Sequence, residues 1–222
     1  MKKWNLIDQS LTPEGKAISL HEHDGTYSIR IDSAELMSTR RHASEDRISE
    51  LACADLKLKR RAHVLIGGLG MGFTLKSALS VLAPDAAVVV AEILPAIISW
   101  NRNTAFPLGS AAMADPRVTI RTQDVVEVIR AAPGAFDSII LDVDNGPAAL
   151  TDSGNARLYS EAGLRLTRAS LKPGACVGYW SAAPSPPFEK MLARAGFTVE
   201  VHRCRAHANT GSWHTLFLAK CP

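Results

Sequence analysis

The chain has 222 residues, of which 46% are hydrophobic and 21% are charged, and its formal net charge is +3. This composition is typical of a globular protein with one large domain or with a main domain and a small appendage. The most apolar stretch is broken by Glu92 and Pro95, so it is too short to span a membrane. The four cysteines are scattered without the spacing of a zinc site, which predicts reduced thiols and a cytoplasmic location.

The first quarter of the chain predicts a β-hairpin. Residues 17–23 and 26–31 flank Asp24-Gly25, and an Asp-Gly pair between two alternating segments is a strong hairpin signal because both turn residues need positive φ. An isolated two-stranded hairpin is marginal in water. We therefore expect this arm to pack on the rest of the chain and on a second subunit, as a homodimer.

A helix is predicted to follow the hairpin. Ser44 is expected to be its N-cap, and the basic run at residues 57–61 is expected to close it. Such a run is more typical of a helix end than of a nucleic-acid site, so the sequence does not support a nucleic-acid partner, without excluding one. We divide the chain into a hairpin-plus-helix arm, residues 1–57, and a nucleoside-binding domain, residues 58–222.

From Ala62 onward, near-continuous apolar strands alternate with helices, which predicts a parallel sheet covered on both faces. The last two predicted strands have only a loop between them, so we expect them to be antiparallel. Residues 184–187 are predicted to be a loop. The expected fold is α/β, a Rossmann-like doubly wound sheet of seven strands with an antiparallel last strand. The predicted strands are residues 63–66, 86–91, 118–121, 136–141, 175–180, 197–202 and 213–220, and the predicted helices are residues 73–82, 95–103, 125–131 and 155–171.

A glycine-rich turn joins the first strand of this sheet to the next helix. It contains Gly67, Gly68, Gly70 and Gly72, and it would let the backbone approach a ligand closely and aim helix N–H groups at it. A dinucleotide fingerprint would need a third glycine where Phe73 stands. The G-x-G-x-G spacing is instead usual in folds that bind S-adenosylmethionine. An ordinary tight strand–helix turn is the alternative.

Two acids follow the next two strands. Glu92 lies about 20 residues after the glycines, where a carboxylate can accept hydrogen bonds from ribose hydroxyls. Asp124, with Val125 beside it, follows the third strand and is placed to meet an adenine amino group. The alternatives are a solvated carboxylate for Glu92 and a helix N-cap for Asp124. Together with the turn, these residues favour a nucleoside ligand at the carboxyl ends of the strands.

The fourth strand ends at a group of polar side chains, Asp142, Asp144 and Asn145. A carboxylate at Asp142 can take a proton from an amine nucleophile and can face a sulfonium cation. A turn capped by these side chains is the alternative. We predict Asp142 as the catalytic base, and Asp144 and Asn145 as contacts to the acceptor.

These features resemble the spermidine synthase family, specifically its spermidine-synthase-like branch on the class I S-adenosylmethionine-dependent methyltransferase fold. In that family the turn reads I-G-G-G-D-G-G and the fourth strand ends D-S-S-D-P. The first Asp of the second motif is the base for the attacking amine, which maps onto Asp142. The likeness covers the hairpin arm, the turn at residues 66–72, Glu92, Asp124, residues 142–147 and residues 158–159.

The departures from the family pattern concern the acceptor and the donor tail. In the family, an Asp of the turn binds the amine of decarboxylated S-adenosylmethionine, and this position is Gly70 here. The family's second acceptor-binding Asp corresponds to Asn145. The family's Tyr-Gln-Glu falls at residues 43–45, without the Tyr or the Gln, and a family Gln falls near Trp180. The resemblance therefore implies an intact nucleoside pocket and an altered polyamine pocket.

We conclude from the sequence that the protein is a transferase that uses an S-adenosylmethionine-type donor and no metal. Methyl transfer to a small-molecule acceptor is the main interpretation, and Tyr159 and Trp180 are placed to wall the acceptor pocket unless they belong to the core. One alternative is a polyamine aminopropyltransferase that uses decarboxylated S-adenosylmethionine. Another is a nucleoside-binding protein whose catalysis has lapsed. His21 and His23 resemble a metal pair without a third ligand.

Overall fold

The computed structural model describes residues 4–143, 146–147, 154–207 and 211–222. The strands are β1 (Asn5–Leu11), β2 (Ala17–His23), β3 (Thr26–Ile31), β4 (Ala34–Ser38), β5 (His63–Gly67), β6 (Ala87–Ala91), β7 (Val118–Arg121), β8 (Phe136–Leu141), β9 (Leu171–Ser181), β10 (Thr198–Arg205) and β11 (Trp213–Lys220). The helices are α1 (Ala43–Ala52), α2 (Phe73–Val81), α3 (Pro95–Arg102), α4 (Ser110–Met113), α5 (Val125–Arg130), α6 (Glu161–Ser170) and α7 (Pro186–Arg194). Among these helices, none is both long and apolar enough to cross a membrane.

The N-terminal arm is a four-stranded antiparallel sheet with the order β1-β2-β3-β4. Its central hairpin is the predicted one, and the turn residues Asp24 and Gly25 have φ values of 47° and 75°. The expectation of only two strands was wrong. β1 is exposed along its whole length, so its sequence carries none of the alternation that marks a half-buried strand.

The main sheet has seven strands in the order β7-β6-β5-β8-β9-β11-β10. The pairs from β7 to β9 are parallel, and β11 runs antiparallel to both β9 and β10. The predicted α/β fold with an antiparallel last strand is confirmed. The carboxyl ends of β5, β6, β7 and β8 meet at one edge, which is where open sheets of this kind bind ligands.

Two apolar layers cover the sheet. On one face α1, α2 and α3 bury side chains such as Ile48, Leu75 and Trp100, and the N-terminal sheet joins this layer. On the other face α5, α6 and α7 pack through side chains such as Leu164 and Phe188. The continuous burial of the parallel strands follows from this double covering.

Two helical predictions need correction. α1 begins at Ala43 with His42 as its N-cap, so Ser44 lies inside the first turn, and the helix ends at Ala52, before the basic run. The loop predicted at residues 184–187 instead runs into α7, which begins at Pro186. A proline at the first helical position loses no hydrogen bond because that N–H has no partner within the helix.

Candidate functional site

The glycine turn after β5 presses against the backbone that follows β8. Gly68 has φ +86°, and a Cβ at this position would lie 2.3 Å from the carbonyl oxygen of Asp142. Only glycine fits there. The buried side chain of Asn101 clamps the turn, since its Nδ2 donates to the Gly70 carbonyl at 2.7 Å and its Oδ1 accepts from the Gly109 N–H at 2.8 Å. No local motif marks Asn101 for this role.

Gly70 lies at the top of the turn, where the family has its acid. Its φ is +52°, and a Cβ there would lie 2.6 Å from Cε of Met37, which extends from β4. The side chain of Met37 therefore covers the place from which an acid at this position would project. The N-terminal sheet thus contributes an apolar group directly over the turn.

Glu92 follows β6 and lies against the same turn. It is 7% exposed, and its two carboxylate oxygens accept from the N–H groups of Leu69 at 2.9 Å and Leu94 at 2.8 Å. Burial raises the pKa of this carboxyl, while these backbone hydrogen bonds lower it. Each carboxylate oxygen can accept a second hydrogen bond. These backbone hydrogen bonds therefore hold the carboxylate in one orientation beside the turn, and its contact with ribose hydroxyls remains a prediction.

Asp124 is the N-cap of α5, which was the alternative considered for it. Its Oδ1 accepts from the Val126 N–H at 2.8 Å, and its Oδ2 pairs with the Arg157 guanidinium at 2.6 Å. Val125 is buried, and its Cγ2 packs close to Gly67. Both residues therefore lie at the carboxyl edge of the parallel strands, and their contact with adenine remains a prediction.

Asp142 and Glu45 form a pair of carboxyl groups beside the turn. Asp142 follows β8, and its Oδ2 accepts from the hydroxyl of Thr74 in the first turn of α2 at 2.8 Å. Glu45 is 8% exposed in the first turn of α1. Burial raises the pKa of Asp142 to about 6, and burial together with the charge of Asp142 raises the pKa of Glu45 to about 8. Near neutral pH, Glu45 therefore holds a proton while Asp142 is mostly ionised.

A chain of hydrogen bonds leads away from Glu45. Ser44 Oγ lies 2.5 Å from Glu45 Oε2 and 2.9 Å from His214 Nδ1. His214 is in β11, and its ring packs edge-on against Trp180 with 4.7 Å between the ring centroids. The Nε1 of Trp180 is enclosed and has no hydrogen-bond partner among the described residues. Trp180 therefore contacts the last side chain of this hydrogen-bonded chain, and its place in the acceptor pocket remains a prediction.

The other residues predicted to bind the acceptor are placed differently. Tyr159 is 2% exposed and packs with Tyr179 and Phe188 in the core on the opposite face of the sheet from Trp180. Tyr159 therefore packs in the core, and its position does not support contact with an acceptor. Asp144 and Asn145 lie outside the described residues.

Three residues of the site, Glu45, Thr74 and His214, were not predicted as site residues. Only Glu45 matches a family motif in the sequence. Glu45 matches the Glu of the family's Tyr-Gln-Glu, yet it was not counted as a site residue. Thr74 and His214 become neighbours of the carboxyl groups only through the packing of α2 and β11. The described residues contain no group of three or more metal-ligating side chains.

The protein is a doubly wound α/β protein with the glycine turn, Glu92, Asp124 and Asp142 at the carboxyl edge of its parallel strands. Three solved structures are similar to it over almost the whole chain. A spermidine synthase in complex with the transition-state analogue AdoDATO has a TM-score of 0.80 and 18% identity, and the match covers 98% of this chain and 74% of that one. The spermidine synthase of Thermotoga maritima has a TM-score of 0.75 and 19% identity over 96% of this chain and 72% of that one. A probable spermidine synthase of Corynebacterium glutamicum has a TM-score of 0.68 and 15% identity over 100% and 81%.

A curated relative agrees with the structural neighbours. The polyamine aminopropyltransferase of Corynebacterium efficiens is 32% identical over 120 residues, which are 51% of this chain and 21% of that protein. The match thus spans about a fifth of the relative's length. No protein-family model matches the chain. The predicted resemblance to spermidine synthases is confirmed. The name of the curated relative agrees with the stated alternative, aminopropyl transfer, and none of these four proteins is named a methyltransferase.

Proposed function

We propose that the protein transfers an aminopropyl group from a decarboxylated S-adenosylmethionine-type sulfonium to an amine. The observation that carries this proposal is the Glu45–Asp142 carboxyl pair beside the glycine turn. Two such carboxyl groups with one proton between them hold a net negative charge near neutral pH, which suits an ammonium group. The names of the structural neighbours and of the curated relative support the same reaction.

The chain's residues offer contacts for the adenosine part of such a donor. The adenosine would lie along the edge formed by the glycine turn, with its ribose hydroxyls donating to Glu92 and its base near Asp124. Gly68 leaves no room for a side chain between the turn and the Asp142 backbone, so the donor would meet backbone there. The reacting carbon would then lie beside the turn, within reach of the Asp142 carboxylate.

The reaction is a displacement at that carbon. The amine lone pair attacks the carbon attached to the sulfonium, the carbon–sulfur bond breaks, and the sulfur leaves as a neutral thioether. The attacking nitrogen becomes positively charged and gives its proton to Asp142, whose Thr74 hydrogen bond holds the carboxylate in place. Most of the acceleration would come from orientation of the two reactants. Negative charge beside the sulfonium would assist.

Methyl transfer is the second candidate, and one observation favours it. The turn has no acid at Gly70, and Met37 covers that place, so no charge on the described turn repels the carboxylate of intact S-adenosylmethionine. The same in-line geometry and the same base would serve either group.

The co-product distinguishes the two reactions. Aminopropyl transfer releases 5′-methylthioadenosine, whereas methyl transfer releases S-adenosylhomocysteine. We expect methylthioadenosine from the decarboxylated donor and a panel of mono-, di- and triamines, detected by mass spectrometry. Asp142→Asn should reduce its formation by at least about 100-fold, the lower end of the range for a general base. No co-product from either donor would leave only nucleoside binding, and S-adenosylhomocysteine would establish methyl transfer.

A further inference from the structure

The hydrogen-bond chain from Glu45 continues to the surface. Ser44 is completely buried and bridges the carboxyl of Glu45 and Nδ1 of His214. The other ring nitrogen of His214, Nε2, lies 3.1 Å from the hydroxyl of the exposed Ser212. Three consecutive hydrogen bonds thus join a buried carboxyl group to solvent.

We propose that Ser44 and His214 form a proton exit path from the Glu45–Asp142 pair to the surface. The proposal rests on the proposed function, because release of the Glu45 proton offsets the proton that Asp142 takes from the attacking amine. Neither Ser44 nor His214 contacts the acceptor in the proposed reaction. Both act through Glu45 and are positioning residues in the reaction.

The proton count fixes the direction of each hydrogen bond. When Glu45 is protonated, its O–H donates to Ser44 Oγ, the Ser44 hydroxyl donates to His214 Nδ1, and the ring N–H lies on Nε2 and donates to Ser212. When the proton leaves, every bond reverses. Ser44 then donates to the Glu45 carboxylate, Nδ1 carries the ring proton, and Nε2 has released one proton to solvent.

The surroundings keep His214 able to receive a proton. Burial and the charge of Arg41 lower the pKa of His214, so its ring is neutral near pH 7. Edge-on packing against Trp180 fixes the plane of the ring. A neutral imidazole with one free nitrogen is what a relay needs.

The acids around Glu45 make it the member of the pair that already holds a proton near neutral pH. Besides Asp142, the charge of Asp46 on the same helix raises the pKa of Glu45. Cys204 in β10 faces the same region, and its thiol pKa is raised by burial and then by Glu45. Once Asp142 takes the amine proton, both members of the pair are protonated. The proton on Glu45 then has the hydrogen-bonded route through Ser44.

One test detects the proton path through the tautomer of His214 and needs no catalytic turnover. In nitrogen-15 spectra of the full-length protein, we expect the His214 ring to change from the Nε2–H to the Nδ1–H tautomer as pH rises through the titration of Glu45. Glu45→Gln should abolish this change, and the ring of His202, which is half-buried on the neighbouring strand, should not show it. A His214 tautomer that is independent of pH, or that changes equally in Glu45→Gln, would overturn the path.

A second test uses the co-product assay. His214→Ala should lower kcat by about 100-fold with the KM for the donor unchanged, as for loss of an assisted proton transfer, and added imidazole should restore much of the rate. His202→Ala is the matched control. Its kcat should equal that of the unaltered protein, and added imidazole should not change it. A loss in His214→Ala that imidazole does not restore would assign the residue to packing alone and refute the path. If the unaltered protein gives no co-product, the proposed function fails while the tautomer change still decides whether the path exists.

Discussion

Replacing Glu45 with glutamine should make the protein more stable at alkaline pH. Glutamine keeps the size of the side chain and a partner for Ser44, and it removes the charge that burial opposes. Glu45 keeps its proton to about pH 8 in the folded protein, whereas an unfolded glutamate loses it near pH 4.5. Between these values the unfolded state binds fewer protons than the folded state, so the free energy of unfolding falls as pH rises.

The size of this effect follows from the pKa difference. Each pH unit is worth about 1.4 kcal/mol. Holding the Glu45 proton up to about pH 8 therefore costs the folded state up to roughly 4–5 kcal/mol by that pH. Glu45→Gln should match the unaltered protein near pH 4 and exceed its stability by several kcal/mol near pH 8, a difference on the scale of a domain's whole stability.

Urea unfolding followed by circular dichroism at pH 4, 6 and 8 measures this difference. Glu50→Gln is the matched control because Glu50 lies on the same helix but is exposed and paired with Arg47. The control should show the same pH dependence as the unaltered protein. Parallel pH profiles for Glu45→Gln and the unaltered protein would refute the assignment of a buried, protonated Glu45.

Three further predictions concern the donor and the assembly. Glu92→Ala should weaken S-adenosylhomocysteine binding in calorimetry by about 1–3 kcal/mol, since ribose hydroxyls would lose their partner; equal affinity in a folded variant would remove the ribose assignment. The double variant Gly70→Asp, Met37→Ala should disfavour intact relative to decarboxylated S-adenosylmethionine by about 1–4 kcal/mol through charge repulsion, and an unchanged preference would place the donor tail elsewhere. Light scattering should give a dimer at micromolar concentration, because the N-terminal sheet exposes Leu6 and Leu11; a monomer would contradict this.

Much of the fold was predictable because local patterns carried it. The Asp24-Gly25 turn, the buried parallel strands and the glycine turn each occupy a few neighbouring residues with a strong conformational preference. β7 and β8 agree with their predicted bounds. β1 was missed because its exposed residues carry no periodicity, and α7 because two prolines at its start look like a loop.

Site residues could be predicted from the sequence only where they directly follow a recognisable strand. Glu92 and Asp142 follow strands directly, so their place at the ligand edge could be inferred from the sequence. The contact between Ser44 and His214 joins residues 170 positions apart. Acids in a first helical turn, such as Glu45, usually serve the helix dipole, so the burial of Glu45 had no local signature.

The most direct test of the central claim is calorimetric titration of AdoDATO, which a solved spermidine synthase binds, onto the unaltered protein, Glu92→Ala and Asp142→Asn. In the proposed function, a nucleoside binds at Glu92 and an amine binds beside Asp142 at the same edge of the sheet. We therefore expect binding by the unaltered protein and weaker binding by each variant, with Glu50→Gln unchanged. No binding by the unaltered protein, or equal affinity in all four proteins, would contradict the proposed function.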